Sequence, residues 1–222
     1  MALRNQLFLL NVTKRESPSM FTGIVQGQAQ VTRLQREQEF MRLTLTLPDG
    51  HLENLQTGAS IAVNGTCLTV TGFEGNQVHF DLIMETLRVT NLGLLSESDT
   101  VNFERAARFG DEIGGHLLSG HVHDQVEIVE IERPENNCIL WFEASPQWMK
   151  YILPKGFVAL NGASLTIGEV IGNRFNVYLI PETLSLTTFG RAVEGWKVNP
   201  EIDPQTQAVV DTVERYMASQ TS

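Results

Sequence analysis

The chain has 222 residues, 42% of them hydrophobic and 19% charged, which is enough to bury a real core in one large or two small domains. Its formal charge of −10 argues against nucleic acid as a partner, because phosphate binding needs clustered Lys and Arg and the sequence has no such cluster. The apolar runs fall far short of the roughly 18 residues that signal a membrane span, so no membrane partner is expected.

Residues 1–19, "MALRNQLFLLNVTKRESPS", pair a basic start with a short apolar patch, and no small-residue cleavage site follows. They read as a disordered leader, with Met20 an alternative start. In the absence of a secretory signal a cytoplasmic location is expected, with Cys67 and Cys138 as reduced thiols. Beyond Met20 the pattern is β. "MRLTLTL" (Met41 to Leu47), "VHFDLI" (Val78 to Ile83) and "FNVYLI" (Phe175 to Ile180) alternate apolar and polar residues and are rich in β-branched and aromatic side chains. Turn signals at "PDG", "EGNQ", "RPENN" and "IGNR" cut these runs short, and helical turns are expected at "LENL" and "QWMKYI". The end changes character. Asp203 can cap a helix with Pro204 in its first position, and Val209, Val210, Val213 and Met217 then recur on one face.

Displacing the sequence by 97 positions sets "NGTCLTV" (Asn64 to Val70) on "NGASLTI" (Asn161 to Ile167) and "ETLRVTNLG" (Glu85 to Gly93) on "ETLSLTTFG" (Glu182 to Gly190). The same shift pairs "VNFE" at Val101 with "VNPE" at Val198, and Gly23 with Gly120. Ungapped agreement at several anchors predicts a tandem duplication, with copies over 20–116 and 117–203 and a helix with a tail over 204–222. Each copy is expected to close into a compact antiparallel barrel, which protects its strand edges.

At this point the strings "MFTGIV", "NGTCLTV", "DLIMETL", "GGHLLSGHV", "KGFVALNGASLTI", "LIPETL" and "NPEIDPQTQAVVDTVER" resemble, in order and spacing, the riboflavin synthases of the alpha-chain type. The resemblance runs from Met20 to about Met217. It implies an all-β fold with short helices: two tandem six-stranded Greek-key β-barrels and a C-terminal α-helix that holds a homotrimer. It also implies a reaction without cofactor or metal, in which two molecules of 6,7-dimethyl-8-ribityllumazine exchange a four-carbon unit to give riboflavin and 5-amino-6-ribitylaminouracil. Association with lumazine synthase is a further partner the family context admits. The runner-up is a non-catalytic lumazine- or flavin-binding protein of the same fold, like the fluorescent antenna proteins; their second copy is degraded, whereas "NGASLTI" and "LIPETL" are intact here.

Carried over residue by residue, the resemblance assigns a first lumazine site to Gly23, Ile24, Val25, Cys67, Leu68, Thr69, Asp81, Leu82, Ile83, Met84, Glu85 and Thr86. It assigns a second to Gly120, His121, Val122, Ser164, Leu165, Thr166, Tyr178, Leu179, Ile180, Pro181, Glu182 and Thr183, with Lys155 as a ligand-binding lysine near the subunit boundary. Hydroxyls and backbone amides suit a flat neutral ring with carbonyl and nitrogen edges, since they orient it without a countercharge.

Differences between the copies point to chemistry. Ser60 stands opposite Phe157, Cys67 opposite Ser164, Ile24 opposite His121 and Ala106 opposite Asp203. One lumazine must take a nucleophile at C7, and the other must lose a proton from its C7 methyl. Ser60 and Cys67 are therefore candidates to deliver or orient the nucleophile, which can equally be water, and His121 is the natural base near neutral pH. Asp203 is the fourth catalytic candidate. Duller roles stand beside these: Cys67 as a small buried filler, Asp203 as a helix cap, His121 as a hydrogen-bonding group only and His116 as structural. A metal reading of His116, His121, His123 and Asp124 fails on strand alternation, which scatters their side chains.

Overall fold

The structure is a computed structural model that describes residues 20–38, 40–135 and 137–220; the leader expected over residues 1–19 lies outside these, as do the last two residues of the tail. In the first copy six strands follow one another: β1 (Gly27–Arg36), β2 (Phe40–Thr46), β3 (Ser60–Val63), β4 (Thr66–Glu74), β5 (Gln77–Ile83) and β6 (Thr100–Arg105). They close into a barrel in the order β1-β2-β5-β4-β3-β6. A short helix, α1 (Met84–Val89), follows β5. Alternation decides which face each side chain takes. Along β5, Val78, Phe80 and Leu82 are buried while Gln77, Asp81 and Ile83 face out.

The second copy repeats the plan with β7 (Val126–Glu132), β8 (Cys138–Glu143), β9 (Phe157–Leu160), β10 (Ala163–Ile171), β11 (Arg174–Leu179), α2 (Pro181–Leu186), β12 (Lys197–Val198) and β13 (Pro200–Ile202). Its sheet runs β12-β7-β8-β11-β10-β9-β13 and is nearly closed. The seventh strand is the sixth one divided. At the 97-residue offset β12 and β13 together match β6, and Pro200 stands where the first barrel has Phe103, so the ladder loses a donor there. Each barrel has its own apolar core, the first around Leu43, Val70, Phe80 and Phe103, the second around Phe142, Ile167, Phe175 and Phe189. Of the helical turns expected, "QWMKYI" lies in a 3₁₀ segment over Pro146–Tyr151, and "LENL" forms turns only.

A buried asparagine cluster fixes one barrel against the other about a pseudo-dyad. The side chain of Asn102 donates to the Asn161 carbonyl at 2.9 Å, and that of Asn199 donates to the Asn64 carbonyl at 2.9 Å. Asn102 and Asn199 are themselves held by the Oδ1 atoms of Asn64 and Asn161, which accept from their backbone N–H groups at 2.8 and 2.9 Å. Buried amides of this kind are satisfied only in one relative placement of the barrels. Phe21, Ala62, Leu118 and Ala159 form a small apolar cluster at the same junction.

The helix α3 (Pro204–Gln220) ends the described chain. Asp203 caps it, its Oδ2 accepting from the N–H of Thr206 at 2.9 Å and from the Thr206 hydroxyl at 2.7 Å. Val210 packs on the second core, the Tyr151 hydroxyl donates to Asp211, and Lys150 pairs with Asp211 and Glu214. The expected apolar stripe is thereby divided: Val210 faces home, whereas Val209, Val213 and Met217 are 64%, 50% and 63% exposed.

Candidate functional site

Before each barrel begins, a short arm runs along the junction. Glu104 on β6 holds the first arm, accepting from the N–H and hydroxyl of Thr22 at 2.6 and 2.8 Å and from the N–H of Gly23 at 3.1 Å. Glu201 on β13 holds the second in the same way, accepting from the N–H and hydroxyl of Ser119 and from the N–H of Gly120. Burial pushes both carboxyls above the usual range, against the hydrogen bonds that pull them down. Each arm is thus tied to its own barrel but laid on the other one. The Gly23 carbonyl accepts from Ser164 N–H at 2.8 Å, and the Gly120 carbonyl accepts from Cys67 N–H at 2.9 Å. A Cβ on Gly120 would come within 2.6 Å of the Cys67 Cβ, so only glycine permits the approach.

The arms enter where strands part. The β4–β5 ladder ends at Val70 opposite Phe80; beyond it β4 continues with β3 from Thr69 to Thr66, and β5 continues with β2 to Ile83. In the second barrel the β10–β11 ladder ends at Ile167 opposite Val177, after which β10 continues with β9. Each barrel therefore has a fork in its outer face with an arm of the other copy in it. Outward side chains line the first fork: Cys67 and Thr69 on β4, Asp81 and Ile83 on β5, then Met84 and Glu85 on α1, with Ser60 across from Thr69. The second has Ser164, Thr166, Tyr178 and Ile180 in the same places, Pro181 and Glu182 following, and Phe157 across from Thr166.

The structure brings the candidate residues together across copies. His121, exposed, follows the Gly120 that touches Cys67, so Ser60, Cys67 and His121 gather at the first fork. Ile24 follows the Gly23 that touches Ser164, at the second. Val25, Leu68, Leu82, Leu165 and Leu179 are buried, so those five offer main chain only. Thr86 and Thr183 are half-buried, each accepting through its carbonyl from a threonine four residues on, Thr90 and Thr187. Glu85 pairs with Arg88 on the surface, whose hydrogen bond holds its carboxyl below the usual range. Val122 is half-buried, and Lys155 is exposed in the turn before Phe157.

One residue read as structural in the sequence stands in the second fork. His116 is only 8% exposed, and its Nδ1 lies 2.7 Å from the Ser164 hydroxyl. Its ring stacks on Phe157 with centroids 5.4 Å apart and planes 22° apart. Burial holds its pKa below the ordinary value, although the charge of Asp203 pulls the other way, so the imidazole is neutral at neutral pH. Its Nε2 is buried with no hydrogen-bond partner among the described residues. Asp203 sits low in pKa through its capping hydrogen bonds to Thr206 and Gln205, which outweigh its burial. The offset could not flag His116, because its counterpart is residue 19 of the leader.

Among the described residues no group of three or more His, Cys, Asp and Glu is placed to hold a metal ion. The four that invited that reading diverge. His123 lies tilted against Trp148, and Asp124 accepts from Ser145 and from the Trp148 indole. No helix among those residues is long and apolar enough to cross a membrane.

Comparison with known proteins matches this duplicated geometry. The lumazine binding domain matches residues 22–106 and again 119–203. Over 201 residues the chain is 57% identical to the riboflavin synthase of Escherichia coli (strain K12), covering 90% of this chain and 94% of that one. Over 200 residues it is 44% identical to the riboflavin synthase of Chlamydia pneumoniae, covering 90% and 98%. Among solved structures, LumP complexed with riboflavin superimposes with a TM-score of 0.77 at 26% identity, and LumP complexed with 6,7-dimethyl-8-(1'-D-ribityl) lumazine with 0.75 at 25%; each match covers 82% of this chain and 98% of LumP. Because the domain match falls twice, once on each barrel with its arm, and the identity to the Escherichia coli enzyme spans 90% of the chain, the chain belongs to the riboflavin synthase family of lumazine-binding proteins.

Proposed function

We propose that the protein is a riboflavin synthase. It takes two molecules of 6,7-dimethyl-8-ribityllumazine, moves a four-carbon unit from one to the other, and releases riboflavin and 5-amino-6-ribitylaminouracil. The observation that carries this reading is the pair of forks, because a dismutation needs one heterocycle bound twice and a simple ligand carrier needs it once. Cys67 and Ser164 edge them through the same backbone hydrogen bond, and Thr69 and Thr166 hold the same register position.

Roles divide by fork. At the first, Cys67 or Ser60 adds to C7 of a lumazine or orients the water that does, and the proton released passes to His121. At the second, neutral His116 in the tautomer that carries its proton on Nε2 accepts from the Ser164 hydroxyl through Nδ1 and so keeps that oxygen basic toward a methyl proton, with Asp203 supporting positive charge on the imidazole. The assembly in this reading is a cytoplasmic homotrimer joined through the outward face of α3, in which the first barrel of one subunit meets the second barrel of its neighbour. The functional units are the copies over 20–116 and 117–203 and the helix with its tail over 204–222.

Incubation of the purified chain with the lumazine as sole substrate tests the reading. One riboflavin and one pyrimidine should appear for every two lumazines consumed, followed by absorbance and chromatography. Tight binding without turnover would place the chain with the non-catalytic carriers.

A further inference from the structure

The 97-residue offset sets Gly168 against Thr71, Asn176 against His79 and Tyr178 against Asp81. In the second barrel these three form one construction. A Cβ on Gly168 would lie 2.6 Å from Cε2 and 3.2 Å from Cδ2 of Tyr178 and would collide with Oδ1 of Asn176. The phenol ring therefore lies across bare main chain. Asn176 is buried, and its Oδ1 accepts from the N–H of Glu169 at 2.8 Å, where the β10–β11 register shifts between Ile167 and Val170. That amide pins the bulge that presents Gly168 to the ring.

The seat has a neighbour. Phe157 is opposite Thr166 on β9, and Thr166 and Tyr178 are the first residues of β10 and β11 past the last paired rung, Ile167 with Val177, so both stand at the opening of the fork. The fork opening thus carries two half-exposed rings, Phe157 at 47% and Tyr178 at 49%, and Phe157 is itself steadied by its stack on His116. The matching row of the first barrel is Ser60, Thr69 and Asp81, all polar, and Thr71 there keeps the side chain that Gly168 lacks.

We infer that Gly168, backed by Asn176, is a positioning residue that holds the Tyr178 ring at the fork opening, so that the second fork offers a flat heterocycle aromatic walls where the first offers polar ones, and the two barrels bind the same ligand unequally. Stacking on a ring already fixed in place avoids the cost of ordering it on binding, which is why the missing Cβ matters to affinity. The inference rests on the proposed function, since it concerns how that ligand is held.

The test is a riboflavin titration of the full-length protein, followed by quenching of flavin fluorescence. The parent should show two affinity classes, one of which disappears in Thr166→Trp. Tyr178→Ala should weaken that class by about 5- to 10-fold and leave the other unchanged, and Gly168→Ala should do the same. In the Tyr178→Ala background Gly168→Ala should add nothing, because a residue acting only through Tyr178 has no further effect once the ring is gone. An additive loss, or equal weakening of both classes, overturns the inference. Should Gly168→Ala fail to fold, the transplant decides: Thr71→Gly with Asp81→Tyr should tighten the first class more than Asp81→Tyr alone, and equal effects overturn it. A parent with a single affinity class overturns the inference and leaves the proposed function standing, whereas one that binds no flavin overturns both.

Discussion

Cys67 and Ser164 fill one position of the duplicated plan and make the same backbone bond to the opposite arm, so what separates them is the side chain alone. A thiol that assists addition at C7 is replaced in part by a hydroxyl and not at all by a methyl. Cys67→Ser should therefore keep turnover within about 10-fold, while Cys67→Ala should lose on the order of 100-fold. Equal, near-normal rates in single-turnover assays would leave binding, with water, as the whole contribution of the first fork. His116 makes a prediction about pH. Burial lowers its native pKa from the ordinary 6.5, so protonation favours the unfolded chain. Its contribution is complete above about pH 6.5 and is lost as the pH falls toward and through the lowered native value. Glu104 and Glu201 act with the opposite sign, because their raised carboxyl pKa values make ionisation costly as the pH rises through them. His116→Gln should accordingly show a smaller drop in melting temperature than the parent between about pH 6.5 and pH 5. Superimposable acid limbs in calorimetry would contradict the assignment.

Among the elements, α3 has the least cover. It is tied down by Val210, by Asp211 under Tyr151 and by the Lys150 pairs, while Val209, Val213 and Met217 form an apolar strip turned away. An exposed strip of this kind is costly in water unless a second copy covers it. Deleting residues 204–222 should leave barrels that still bind lumazine but elute as monomers on sizing columns and turn over at most about a tenth as fast. A trimeric, fully active truncation would show that the strip serves no assembly. The strands themselves were legible beforehand. "VHFDLI" alternates as written, "FNVYLI" does so except at buried Asn176, "EGNQ" and "IGNR" turn where expected, and a single offset reveals the second barrel. Other features have no local signature. The contact of Gly23 with Ser164 joins residues 141 positions apart, as the numbering shows, and no periodicity encodes it. Nor does a contiguous motif tell which of its letters face a ligand: within "CLT", Leu68 belongs to the core, and only Cys67 and Thr69 face out. The division of the last strand was readable in principle from Pro200, since a proline cannot donate to a ladder.

At the scale of the molecule the question is whether one chain completes a site. Thr69→Trp should block the first fork and Thr166→Trp the second, both residues being exposed and outward, so each variant alone should be nearly inactive. If a working site joins the first barrel of one subunit to the second of another, unfolding and refolding equal amounts together should restore roughly a quarter of the sites. Sites confined within single chains would recover nothing, once circular dichroism confirms that both variants refold and native mass spectrometry confirms mixed trimers. The crossed arms carry one more consequence. Cut between its copies, this molecule would resemble two protomers that each lend an arm to the other about a two-fold axis. In a true homodimer a single gene writes both faces, so any letter favourable on one must be tolerated on the other. Joining the copies in tandem lifts that obligation: Asn64 and Asn161 could stay alike to keep the axis, while Ser60 and Phe157, or Asp81 and Tyr178, were released to differ. The duplication is a means of breaking symmetry at the ligand without breaking it at the hinge of the two halves.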